Sequence, residues 1–213
     1  MGVESSETAR LLERASAGDS RALESLLMGQ RPRLRRMVAA RLDERLRRRI
    51  DPSDVIQETF LEASARLPSY LREPSMPFFL WLRFLAGQKL ATLHRHHLGV
   101  QMRDAGQEVG LGRGGWPQAS SAALAEHLLD ARTAPSEAAM RAERKERVRR
   151  ALEELEPPDR EALALRHFEQ LSRAEIAAVL GISEAAAGKR YIRALEKLRR
   201  HLDGPGEGTA WQA

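Results

Sequence analysis

The 213-residue chain contains no cysteine, which excludes a disulfide framework, a thiolate metal site and a thiol nucleophile. Long apolar runs are also missing. The stretch around the aromatic cluster, Phe78–Leu82, is five residues long, against the roughly 20 that a bilayer-crossing helix needs. The opening segment MGVESSETAR has two glutamates and no basic-then-apolar order, so it does not read as a secretory signal. Gly2 and Ser6 fit the loose myristoylation pattern, but no polybasic second anchor follows them. A cytoplasmic protein is the expectation. The catalytic signatures GxxxxGK[ST], GxSxG and HExxH do not occur, so no motif supports an enzymatic reading.

What is present is charge, 31% of residues, with arginine far outnumbering lysine. Lys and Arg total 35 against 30 for Asp and Glu, a net charge of only +5. Its distribution is more informative than its sum. Residues 1–98 hold 17 basic and 12 acidic side chains and residues 137–202 hold 15 and 12, whereas residues 99–136 hold 3 and 4. Two basic blocks flank a neutral connector, a pattern that favours phosphate-bearing partners. The connector has six glycines between Gly99 and Gly115 and reads as a flexible linker with one short helix near Ala122–Leu129. The predicted organisation is an extension over 1–19, a domain over 20–98, a linker over 99–136, a domain over 137–202 and a disordered tail over 203–213.

Apolar periodicity in both blocks is helical, and no alternating β-branched run has strand length, so the fold class is all-α. Leu23, Leu26 and Leu27 define a short amphipathic helix; Leu34, Met37, Val38 and Leu42 continue the pattern, with Pro32 separating two helices or bending one. Asp51-Pro52-Ser53-Asp54 is a helix start: an acidic N-cap, proline at the first helical position and a carboxylate in the first turn. The helix is predicted to run from Pro52 to about Leu67, with Pro68 just beyond its end. Its apolar face is Val55, Ile56, Phe60, Ala63 and Leu67; Asp54, Gln57, Glu58 and Glu62 fall mainly opposite. A further long helix spans Phe78 to about Leu98. In the second block, helices are predicted over Glu137–Leu155 and Asp159–Phe168, and from Ser172 to Leu180.

Residues 172–200 are the most informative segment. Ser172-Arg173-Ala174-Glu175 is a capping box, Gly181 suits a left-handed turn, and Ser183 caps a basic helix beginning at Glu184. This is the sequence form of a helix-turn-helix. Ala187, Tyr191, Ala194, Leu195 and Leu198 fall on the inner face of the second helix, leaving Gly188, Lys189, Ile192 and Arg193 outside. Cations flanking a bare isoleucine suit a major groove, where Lys or Arg meets guanine acceptors or phosphate and Ile meets a thymine methyl. A capped surface helix with solvated charges is the competing reading.

LSRAEIAAVLGISEAAAGKRYIRALEKLRR, preceded by LEELEPPDREALALRHFEQ, resembles domain 4 of the extracytoplasmic-function sigma factors of the sigma-70 family. DPSDVIQETFLEAS and the helix FFLWLRFLAGQKLATLHRHHL independently resemble their domain 2. The resemblance implies two small helical domains joined by a flexible linker, in a bacterial transcription initiation factor without cofactor or catalytic residues. Asp54, Gln57 and Glu58 would dock on a basic coiled coil of core RNA polymerase. Tyr70, Arg72 and Trp81, with Met76 and Arg83 near them, would serve −10 melting, with Trp81 also suited to the core. Gln88, Lys89, Thr92, Arg95 and His96 would lie against the −10 element, and Lys189, Arg190, Ile192 and Arg193 would read the −35 element. Core polymerase and promoter DNA are the implied partners, and an anti-sigma factor is a further one. Two departures stand out. The loop before Trp81 is longer than usual and carries Pro74 and Pro77, and Gly188 stands where the family often has a base-reading side chain.

Rival readings are a dimeric helix-turn-helix regulator of the response-regulator type, which leaves residues 51–98 unexplained, and a nucleic-acid-processing enzyme, which lacks a catalytic constellation. Arg31–Ile50 includes nine arginines, equally suited to nucleic acid or to a solvated face. Of His94, His96 and His97 only the 94/97 pair shares a helical face, so no metal site is expected.

Overall fold

The computed structural model describes residues 6–98, 117–129 and 138–203, and among them there are ten helices and no strand. Helix α1 spans Ser6–Ser16, α2 Ser20–Arg41, α3 Glu44–Arg47, α4 Pro52–Arg72 and α5 Phe78–Leu98. After these come α6 at Ser121–Leu129, α7 at Ala138–Glu153, α8 at Pro157–His167, α9 at Arg173–Leu180 and α10 at Glu184–Asp203. No helix among the described residues is long and apolar enough to cross a membrane.

Pro68, expected just beyond the end of its helix, lies inside it, and of the two alternatives at Pro32 the separation into two helices does not occur. Helix α2 passes through Pro32 and α4 passes through Pro68 to end at Arg72. An internal proline costs about 3 kcal/mol. In α2 the same helix buries Leu26, Leu27, Leu34, Met37 and Val38, each contributing about 1.5–3 kcal/mol, so packing overrides the local penalty. Pro68 is itself exposed, while Leu67 and Tyr70 on either side are buried. Both helices start on carboxylate caps: Asp19 accepts from the Ala22 amide at 3.0 Å and Asp51 from the Ser53 amide at 2.7 Å. The extension before residue 20 contains α1, whose Leu11 and Leu12 pack on the core of the first block.

Helices α2, α4 and α5 form that core around Leu34, Met37, Ile56, Phe78, Leu82 and Leu85. Helices α7, α8 and α10 close around Leu152, Leu155, Ala164 and Ala194. Of the predicted linker, residues 117–129 are described. They include α6, which buries Leu124 and Ala125 against this second core, and the Ser120 amide donates to the Ala40 carbonyl of α2 at 2.8 Å. The remainder of the linker, and the tail after Asp203, lie outside the described residues. The two helical blocks also meet directly. Leu165, Leu171, Ile176 and Val179 join the apolar cluster built by α2, α4 and α5.

Candidate nucleic-acid interface

The helix-turn-helix is built by local capping. Ser172 Oγ accepts from the Glu175 amide at 3.2 Å while the Ser172 amide donates to Glu175 Oε2 at 2.7 Å, closing the capping box. At the far end of α9, Gly181 adopts φ 64°, ψ 38°, and the Ile182 amide donates to the Ala177 carbonyl at 3.0 Å. This six-residue closure needs the left-handed residue that glycine supplies without Cβ strain. Ser183 Oγ then accepts from the Ala186 amide at 3.2 Å and starts α10.

Helix α10 buries Ala187, Ala194 and Leu198 and leaves Lys189, Ile192 and Arg193 exposed, with Arg190 half-buried. Ile192 is 52% exposed, high for a β-branched apolar side chain. Among the described residues none of Lys189, Arg190 and Arg193 sits in an ion pair, so their charge is available to a partner. Tyr191 and His167 meet through Oη and Nε2 at 3.1 Å and tie α10 to α8. Burial is the main cause holding the His167 imidazole below the usual histidine range, helped by Arg166 and His127.

One cation escaped the periodicity reading. Arg173, at the first position of α9, extends across the face of α10 at Gly188. A Cβ placed on Gly188 would lie 3.5 Å from Arg173 Nε and 3.6 Å from its Cδ. The Arg173 side chain thus passes within van der Waals reach of the bare backbone at Gly188. The sequence signal was available in the capping box, which fixes Arg173 at the helix start, but its proximity to Gly188 depends on the turn angle. Arg173, Lys189, Ile192 and Arg193 line one open groove of about 750 Å³.

On α4, Asp54, Gln57 and Glu58 are exposed. They lie at helical spacings of three and four, and therefore on one stripe. Leu61 extends the stripe by one more turn and is 73% exposed; a bare leucine beside carboxylates was not singled out by pattern alone. Lys89 of α5 lies close by, 2.9 Å from Glu62 and 4.0 Å from Glu58. It therefore bridges the acidic stripe and the face it was expected to share with Gln88.

Gln88, Thr92, Arg95 and His96 are all exposed along α5. Thr92 Oγ1 donates to the Gln88 carbonyl at 3.0 Å and receives Arg95 Nη2 at 3.3 Å. Half-buried His94 accepts from the Asp43 amide at 3.5 Å. Burial, and to a lesser degree Arg45, pushes its pKa down despite the Asp43 carboxylate.

The expected aromatic platform is internal. Tyr70 is 7% and Trp81 9% exposed; their rings stack at 4.5 Å, and Tyr70 Oη donates to the Met76 carbonyl at 2.9 Å. In this conformation they organise the loop before α5. Arg72 remains exposed and holds the Pro68 carbonyl at 3.3 Å. Arg83, expected to be available beside that loop, is 1% exposed and paired with Glu169 across the two blocks.

Comparison with known proteins places these surfaces in context. The family model described as "Sigma-70, region 4" matches residues 145–198. The chain is 30% identical over 191 residues to the RNA polymerase sigma factor CarQ of Myxococcus xanthus, covering 90% of this chain and 95% of that protein. It is 31% identical over 193 residues to the ECF RNA polymerase sigma factor SigD of Mycobacterium tuberculosis, covering 91% and 82%. Among solved structures, CnrH in complex with the cytosolic domain of CnrY is similar with a TM-score of 0.55 at 25% identity, over 94% of this chain and 99% of that one.

Proposed function

This chain belongs to the extracytoplasmic-function RNA polymerase sigma factors, and on that premise we propose how its surfaces divide the work of promoter-specific initiation. The protein binds core RNA polymerase and promoter DNA. Residues 20–98 form the unit that docks on core and engages the −10 element; residues 137–202 form the unit that reads the −35 element.

In this reading α10 enters the major groove at the −35 element, with Lys189 and Arg193 reaching guanine acceptors or phosphate and Ile192 reaching a thymine methyl. The observation that carries it is the capped, glycine-turned helix pair presenting an unpaired basic stripe and an unburied Ile192. Arg173 adds a cation where Gly188 offers none. The Asp54, Gln57, Glu58 and Leu61 stripe supplies carboxylates with an apolar anchor, which fits a basic protein surface better than it fits DNA. Gln88, Thr92, Arg95 and His96 face the −10 element. Nucleotide addition belongs to the core enzyme in this scheme. The structural relative is bound to the cytosolic domain of CnrY, which supports an anti-sigma protein as a third partner here.

Run-off transcription from a genomic library with purified core polymerase tests the proposal. Promoter-specific transcripts that require this chain, with its co-purification on core, are expected. The absence of both a promoter-specific transcript and co-purification with core would refute it.

A further inference from the structure

The short helix α3 and the last turn of α5 enclose an open groove of about 630 Å³, lined by Glu44, Arg45, Leu46, Arg48, Arg49 and His97. Local packing decides which arginines around it are held and which project. Leu46 is buried, and Ile50, four residues on, packs against the core of the first block. The Ile50 amide donates to the Leu46 carbonyl at 2.9 Å and closes the turn between them, which leaves residues 47–49 exposed. Arg47 Nε then donates to the Leu42 carbonyl at 3.1 Å and its Nη2 to the Ala39 carbonyl at 2.5 Å, satisfying acceptors at the end of α2. Arg45 turns back to Asp43, at 3.0 and 3.1 Å. Arg48 and Arg49 remain. Among the described residues neither is in an ion pair or donates a side-chain hydrogen bond.

The groove is continuous with the exposed face of α5. The Asp43 amide donates to His94 Nε2 at 3.5 Å, tying α3 to α5, and His97 in the groove meets the His96 ring edge to face at 4.9 Å. His96 ends the exposed row that begins at Gln88. The loop before α5 lies at the opposite end of the helix: at 1.5 Å per residue, Phe78 and His97 are about 28 Å apart along it. With that loop assigned to strand opening, the far end of α5 is left beside DNA that is still paired. The lining selects the class of partner. Leu46, its one apolar side chain, is 3% exposed, so the groove offers no apolar or aromatic anchor of the kind that carries protein–protein affinity. Adjacent unpaired guanidinium groups suit phosphate oxygens, whose contacts need no such anchor and carry no sequence information.

We infer that the α3 groove is a phosphate site for double-stranded promoter DNA beside the −10 element, on its −35 side, a placement that rests on the function proposed above. Arg48 and Arg49 make the contacts, whatever the base sequence. They extend the reach of residues 20–98 from the −10 bases onto the adjoining duplex, and they supply counterion release to a unit whose α4 stripe is acidic. Arg47, between Leu46 and Arg48, belongs to the fold and not to this site.

Fluorescence anisotropy of the full chain on a labelled duplex of random sequence, titrated with salt, counts these contacts. At about 0.9 per phosphate, Arg48→Gln with Arg49→Gln should lower the magnitude of the slope of log affinity against log salt by about two. Arg48→Lys with Arg49→Lys keeps both charges and should retain the slope. As a control of equal charge, Arg10→Gln with Arg150→Gln removes arginines already paired with Glu7 and Glu146, and should leave the slope unchanged. Helicity by circular dichroism should be the same in all. In complex with core polymerase, the glutamine pair should weaken binding to cognate and scrambled −10 probes by the same factor, and the deficit should vanish when the duplex on the −35 side of the −10 element is removed. An unchanged slope in the glutamine pair, a lysine pair that fails equally, a loss confined to cognate −10 probes, or a deficit that persists on the shortened probe overturns the inference. So does a loss of core affinity with DNA binding intact, which would mark the groove as a protein-docking face. The random-duplex arm needs neither polymerase nor promoter, so its failure is distinct from a failure of sigma activity in run-off transcription.

Discussion

Arg173→Ala isolates the cation that periodicity missed. Arg173 starts α9, the first helix of the pair, which in a helix-turn-helix crosses the DNA backbone while the second helix enters the groove. Its guanidinium should therefore meet phosphate. Each phosphate neutralised contributes about 0.9 to the slope of log affinity against log salt. Arg173→Ala should lower the magnitude of that slope by about one and weaken binding alike on cognate and scrambled −35 duplexes. The companion variant Gly188→Ala sets the control. The new Cβ would meet Arg173 at 3.5–3.8 Å, ordinary van der Waals contact, and replacing glycine inside a helix gains about 1 kcal/mol. Gly188→Ala should therefore raise thermal stability without moving the slope. Fluorescence anisotropy of the full chain on labelled duplexes from 50 to 300 mM salt measures both. A slope unchanged in Arg173→Ala, or a loss confined to the cognate sequence, would refute the phosphate assignment.

Three further outcomes follow from the same geometry. Arg193→Ala should reduce discrimination between cognate and mismatched −35 sequences by about 1–3 kcal/mol while sparing core affinity, and Gln57→Ala with Glu58→Ala should do the reverse; equal losses in both assays would sink that division. Leu61→Ala should weaken co-purification with core polymerase but leave the melting temperature unchanged, since the side chain is 73% exposed and holds little folding energy; a drop in melting temperature would contradict this. His94 and His167 have pKa values held below the ordinary 6.5, chiefly by burial. The unfolded chain therefore binds more protons than the folded one between those lowered values and 6.5, so stability falls as pH drops through that window. Thermal melts from pH 7.5 to 5 should show the decline, and the double variant His94→Gln, His167→Gln should flatten it.

Much of the candidate site was legible because its signals are local. The Ser172–Glu175 box, the Gly181 turn and the Ser183 cap each act within six residues, so the helix pair and the outer face at Lys189, Ile192 and Arg193 could be read directly. The acidic face of α4 was legible through the Asp51-Pro52 start and the three-and-four spacing of Asp54, Gln57 and Glu58. Pro68 was misjudged, and the choice left open at Pro32 could not be made, for the opposite reason. Pro32 is unfavourable in isolation, and only the burial of Leu34, Met37 and Val38 beyond it shows why α2 continues.

The amino-acid sequence by itself determined the all-helical class, the capped helix-turn-helix and the placement of two basic blocks around a neutral connector, since caps, turns and periodicity are short-range properties. Only the tertiary structure decided which arginines face solvent and which face the other block. Arg31–Ile50 reads as one uniform basic run, yet Arg33 and Arg36 meet the α8–α9 turn 136 and 132 residues away, and Arg83 meets Glu169 across 86. A guanidinium has the same pattern in sequence whether it is solvated, bound to phosphate or buried against a carboxylate. Its role is set by the partner that the fold brings to it, and here that partner is Glu169.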